Sequence, residues 1–120
     1  MRDFIHRIGL AGFLFGTGLG AAIHPAAAAS FDCERAELAA DEKKICDTRS
    51  LNDADVKMVT TFDILTGLLP MGSRGTLQEE QSSWLKKRQA CNADAECIRN
   101  AYSERMKQLD EAYKGLSRPM

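Results

Sequence analysis

The side chains that most often do chemistry at neutral pH are scarce in this chain. Both histidines, His6 and His24, lie in the first 29 residues, and none follows. Beyond that point Ser-His-Asp and Cys-His nucleophilic catalysis, histidine-liganded metal chemistry and histidine pH sensing have no residue to run on. Two carboxylate pairs remain, Glu79 with Glu80 and Asp110 with Glu111. Adjacent helical residues point about 100° apart, so neither pair converges on one substrate bond as a hydrolase acid and base must. Exposed charges near helix ends are the expected reading. No catalytic residue, metal or cofactor is expected, and a carboxylate-dependent hydrolase is the least favoured function.

The four cysteines, Cys33, Cys46, Cys91 and Cys97, all follow the histidine-bearing segment. A zinc site is a poor fit, because neither spacing is the tight pair of a zinc finger and no histidine remains to complete a mixed site. Four cysteines allow three disulfide connectivities. Loop length favours Cys33 with Cys46 and Cys91 with Cys97, each closing a short loop within one block of sequence. Loops of this size stabilise a domain by about 2 to 3 kcal/mol each on a chain-entropy account.

An oxidising destination is written at the other end. Arg2, His6 and Arg7 precede residues 9–23, a run without charge, and Ala27-Ala28-Ala29 then offers the small-x-small pattern of a signal-peptidase site. We expect residues 1–29 to be a cleaved signal peptide and Ser30 the new N-terminus. The apolar run contains five glycines and is short for a spanning helix, which argues against a retained anchor. Cys33, preceded by Phe31 and Asp32, lacks the small residues of a lipoprotein site. The mature protein is expected in the periplasm or outside the cell, a monomer off the membrane.

Removing Arg2, Arg7 and Asp3 from 16 basic and 17 acidic side chains leaves 14 and 16, a balance of −2. A weakly acidic domain gives no reason to expect nucleic acid, and Lys86-Lys87-Arg88 is too short for a basic field. Residues 30–120 hold Phe31, Phe62, Trp84, Tyr102 and Tyr113 as their aromatics. One domain with a modest core follows, of a size at which disulfides matter.

The elements that position these residues read as helical throughout. Asp41 can start a short helix carrying Ile45 and Cys46 toward the core. Leu51, Ala54, Met58, Phe62, Leu65 and Leu69 recur every three or four residues, predicting a helix from Leu51 to about Leu69, capped by Ser50 or Asn52. Pro70-Met71-Gly72-Ser73-Arg74-Gly75 predicts a turn-rich link. Thr76 with Glu79 forms a capping-box pattern for a helix over 77–90. Asp94 can cap a last helix with Ile98, Tyr102, Arg105, Leu109 and Tyr113 on one face. No alternating strand pattern occurs, so the expected class is an all-α, disulfide-stapled domain of three to four helices.

Gln81, Trp84, Arg88 and Cys91 fall on one stripe of the third helix. Their first reading is scaffold: a buried tryptophan, a cysteine pinning the helix end, and an arginine needing a carboxylate, for which Asp55 or Glu42 is the expected partner.

The same block, QxxWxxxRxxC followed by Cys97 and Tyr102, resembles the N-terminal domain of LprI-type lysozyme inhibitors, a family that includes YecT-like secreted proteins. Phe31-Asp32-Cys33 is similar to the family's opening, Glu42-Lys43-Lys44-Ile45-Cys46 to its ExxIC, and Leu51-Asn52-Asp53-Ala54-Asp55 to its helix start with a characteristic aspartate. The departures are Phe62, where the family usually has another aromatic, and Ala54 in place of a larger aliphatic. Residues 67–75 show no family pattern. The resemblance implies inhibition of lysozyme by some members, while the matched residues look like scaffold. On this reading the partner is a cationic enzyme met through electrostatic steering, and the candidate contact loop is Met71, Gly72, Ser73, Arg74 and Gly75. The alternative is an envelope interaction module with no inhibitory activity.

Overall fold

The computed structural model describes residues 29–116. Residues 1–28 lie outside that range, so the signal-peptide expectation falls almost wholly beyond it. The described residues form four helices: α1 (Ala40–Asp47), α2 (Arg49–Leu68), α3 (Met71–Ala90) and α4 (Ala95–Lys114). No strand occurs among the described residues, and the class is all-α as the periodicity requires. α2 and α4 share the largest interface, and α1 touches each of the other three.

One spacing explains the packing. Leu51, Asp55, Met58 and Leu65 are buried on α2, Leu77, Trp84 and Arg88 on α3, and Ile98, Tyr102, Arg105 and Leu109 on α4. With Phe62 and Gln81, both half-buried, filling the gaps, the steps alternate between three and four residues, the seam that helices use when they run side by side. Ile45 extends the core from α1. Both predicted disulfides form, Cys33–Cys46 with Cα atoms 5.9 Å apart and Cys91–Cys97 with 5.5 Å.

The helix ends hold most of the corrections. Asp94 caps α4 as expected, its Oδ1 accepting from the Glu96 and Cys97 amides at 3.0 and 3.1 Å. Asn92 turns the corner before it with a φ of 51°, a left-handed conformation that asparagine tolerates better than most residues. Asp41 does not cap α1. Ala39 occupies that position, and Glu42 reaches back to accept its amide at 3.0 Å, which frees Asp41 to point inward. Ser50 and Asn52 lie inside α2, whose N-cap is Thr48.

The largest difference concerns residues 71–75. Met71, Gly72, Ser73, Arg74 and Gly75 are not a loop but the opening of α3, which starts six residues earlier than the Thr76 capping box implies. Pro70 holds the N-cap, where its missing N–H costs nothing, and the Arg74 amide closes the first turn on the Pro70 carbonyl at 2.8 Å. The Arg74 guanidinium also donates to the Leu69 carbonyl at 3.1 Å, tying the new helix to the end of α2. Thr76, now inside the helix, donates its hydroxyl to the Gly72 carbonyl at 3.3 Å instead of capping.

Two glycines within a helix weaken it, and a Cβ added at Gly72 or Gly75 meets nothing within 4 Å. Gly72→Ala and Gly75→Ala are therefore expected to stabilise the domain by about 0.5–1 kcal/mol each, raising Tm by a few degrees in thermal unfolding. A loop at these positions would give no such gain.

Candidate functional site

Four helices deliver one side chain each to a buried polar cluster. Arg88, 3 % exposed on α3, donates from Nε to Asp41 Oδ2 of α1 at 2.8 Å. Its Nη1 donates to the Tyr102 hydroxyl of α4 at 3.3 Å and stands 3.5 Å from Asp55 Oδ1 of α2. Tyr102 in turn donates to Asp55 Oδ1 at 2.7 Å. Aromatic faces enclose the guanidinium, with its carbon 5.5 Å from the centroid of Phe31 and 5.7 Å from that of Trp84. The Trp84 indole donates to the Ala101 carbonyl at 2.9 Å and packs against Tyr102 at a centroid distance of 5.2 Å.

The electrostatics follow from that enclosure. Burial opposes the charge on Arg88, but the neighbouring Tyr102 oxygen and the Asp41 carboxylate more than offset it, so its pKa is raised and the group stays cationic. Burial pushes the Tyr102 phenol far above its ordinary range. Arg88 draws it back in part, while the Asp55 carboxylate that accepts its proton adds to the rise. Tyr102 is thus a fixed donor throughout the physiological range.

A second buried arginine was missed as a site residue, although it sits on the predicted face of α4. Arg105 donates from Nε to Gln81 Oε1 and from Nη1 to Gln108 Oε1, both at 2.9 Å, and from Nη2 to the Leu77 carbonyl at 3.3 Å. Burial lowers its pKa, and Glu80 at 3.5 Å partly restores it. Its signal in the sequence was position alone, midway between Tyr102 and Leu109 on the buried stripe.

Trp84, Arg88 and Tyr102 therefore come together, Cys91 joins the same core, and Gln81 serves Arg105 instead. Asp55 is one partner of Arg88, as expected. Glu42 is not: it faces Arg35 and the α1 cap instead, and Asp41, one residue earlier, takes its place. Three of the four paired carboxylates have cationic partners. Glu80 leans on Arg105, while Asp110 and Glu111 both hold Lys114, at 2.7 and 2.9 Å.

Set against protein-family models, curated proteins and solved structures, the chain matches none.

The geometry divides the molecule in two. The buried cluster turns its charges inward, on one another and on the Ser30 amide. Facing outward at the junction of α2 and α3 is an apolar end: Ile64 and Leu68, each 58 % exposed and one turn apart on α2, and Met71, 84 % exposed, at the start of α3; Val56 and Tyr113 are exposed elsewhere. Beside Ile64 a shallow groove runs between α2 and α4, lined by Thr61, Leu65, Met106, Leu109 and Tyr113. No helix among the described residues is long and apolar enough to cross a membrane.

Proposed function

We propose that this protein is exported, loses its leader, and acts in the periplasm or outside the cell as a binding protein of the LprI type that inhibits lysozyme by protein–protein contact. Support for export comes from the leader pattern and from two disulfides, which persist in oxidising compartments. Support for binding comes from the exposed apolar end, above all Met71, on a domain whose buried cations are all tied to internal partners. Large apolar side chains exposed together are the usual mark of an interaction surface. The weak negative charge of the domain suits a cationic partner, speeding encounter more than it tightens the complex.

The contact element is then a helix end instead of a loop. Met71 sits on the opening turn of α3, held to α2 through Arg74 and Leu69, so its backbone is already ordered before binding and only the side chain has freedom to lose. Methionine is well suited to filling an irregular cleft.

Met71→Lys is expected to weaken inhibition of c-type lysozyme at least tenfold, about 1.4 kcal/mol of binding, with Tm unchanged because the side chain is exposed. Titration calorimetry beside thermal unfolding checks both halves. Undiminished inhibition by Met71→Lys would remove this helix end from the interface.

A further inference from the structure

The polar cluster has an uneven charge. Asp41 and Asp55 contribute two negative charges and Arg88 one positive, all three side chains at most 3 % exposed. Arg88 lies nearer Asp41, at 2.8 Å, than Asp55, at 3.5 Å. Asp55 completes its shell elsewhere: Oδ1 accepts from Tyr102, and Oδ2 accepts from the backbone nitrogen of Ser30 at 2.6 Å. Ser30 is the first residue after the expected cleavage site.

We infer that cleavage after Ala29 converts this hydrogen bond into an ion pair between the α-ammonium of Ser30, an exposed residue at the rim of the cluster, and the buried Asp55 carboxylate, so that leader removal completes the charge balance of the core. The inference rests on the proposed processing. In that step a leader peptidase adds water across the Ala29–Ser30 peptide bond. Ala29 departs with the new carboxylate, and the released Ser30 amine takes up a proton. The nitrogen is already at ion-pair distance, and its gain of charge brings the cluster from −1 to zero. A buried charge without a counter-charge is expensive, and supplying one at a preformed distance is the cheapest remedy.

The segment behind the amine is built to hold it there. Phe31 lies under the Arg88 guanidinium, and Cys33 is bonded to Cys46 of α1. Residues 30, 31 and 33 are thus each fastened to a different part of the cluster or its frame. The charged and titratable groups around the amine are Asp55 on α2, Arg88 on α3, Tyr102 on α4 and, through Arg88, Asp41 on α1.

An α-amine titrates ordinarily near 7.7–8.0, and pairing with a carboxylate raises that value in the folded state. The stabilisation is therefore complete below the unfolded value and is lost as pH rises through the raised folded one.

The test compares the unprocessed precursor, its disulfides formed, with the protein recovered after export, whose first residue is read by intact mass. A processed chain starting at Ser30 is expected to melt about 5 °C or more above the precursor at neutral pH. The gap should close in alkaline buffer and shrink in Asp55→Asn. Should that variant fail to fold, an NMR titration of the Ser30 amine in the native chain replaces it, with a pKa above 8 expected. A chain starting at Ser30 with an ordinary amine pKa and no gap in Tm overturns the ion pair and leaves export standing. A chain starting elsewhere overturns the processing site and the pair together.

Discussion

Arg88→Ala is expected to cost the domain about 3–5 kcal/mol, the penalty for stranding a buried charge when its partner is removed. Here two carboxylates are stranded. Asp41 loses the Nε–H bond at 2.8 Å, and Asp55 and Tyr102 lose their shared cation. A small domain has about 5–15 kcal/mol in all, so the variant should be partly unfolded at modest urea concentrations. Arg88→Ala combined with Asp41→Asn should lose less than the sum of the two single losses, because the asparagine removes one of the stranded charges. Urea unfolding of the four proteins in that cycle measures the coupling. Wild-type stability in Arg88→Ala would show that the cluster does not hold the helices together.

Replacing Cys33 and Cys46 together by serine is expected to cost about 3 kcal/mol, the chain-entropy value for a loop of this length. The bridge also tethers the one described segment before α1, so its loss releases Phe31 from Arg88 and Ser30 from Asp55. Removing Cys91–Cys97 should cost less, about 2 kcal/mol, because its loop is shorter and Asp94 already caps the same corner. Thermal unfolding of the two double variants ranks the bridges. The reverse order would mean that the α3–α4 corner, and not the N-terminal segment, depends on its disulfide.

The features legible in the sequence were those decided locally. Leu51, Met58 and Leu65 announce α2 by their spacing, Asp94 announces the start of α4 by its place before the last cysteine, and short loops favour the two disulfides. What misled was local preference overridden by distant contacts. Gly72 and Gly75 disfavour a helix, yet Pro70 fits the cap, Arg74 ties back to Leu69, and Leu77 is buried one turn on. Asp41, as a carboxylate in a first turn, reads as a cap. Only the folded chain brings it against Arg88, 47 residues away.

The buried stripes of α3 and α4 explain the rest. Arg88 and Arg105 occupy seam positions that a search for apolar residues assigns to leucine, and they need Asp41, Asp55, Gln81 and Gln108 to be tolerated there. Polar residues at seam positions are the known means of fixing helix register, and the pairing of each with a particular partner suits that role here. The apolar end at Ile64, Leu68 and Met71 had no counterpart in the sequence reading beyond the misplaced loop, because exposure is a property of the assembled helices.

We propose that this scaffold inhibits lysozyme. Its most direct test is the lysis of a peptidoglycan-coated cell suspension by c-type, g-type and i-type lysozymes, titrated with the oxidised domain and with the same protein after reduction. Stoichiometric protection against at least one class, lost on reduction, is the expected result. No protection against any class, or lysis by the domain alone, would contradict it.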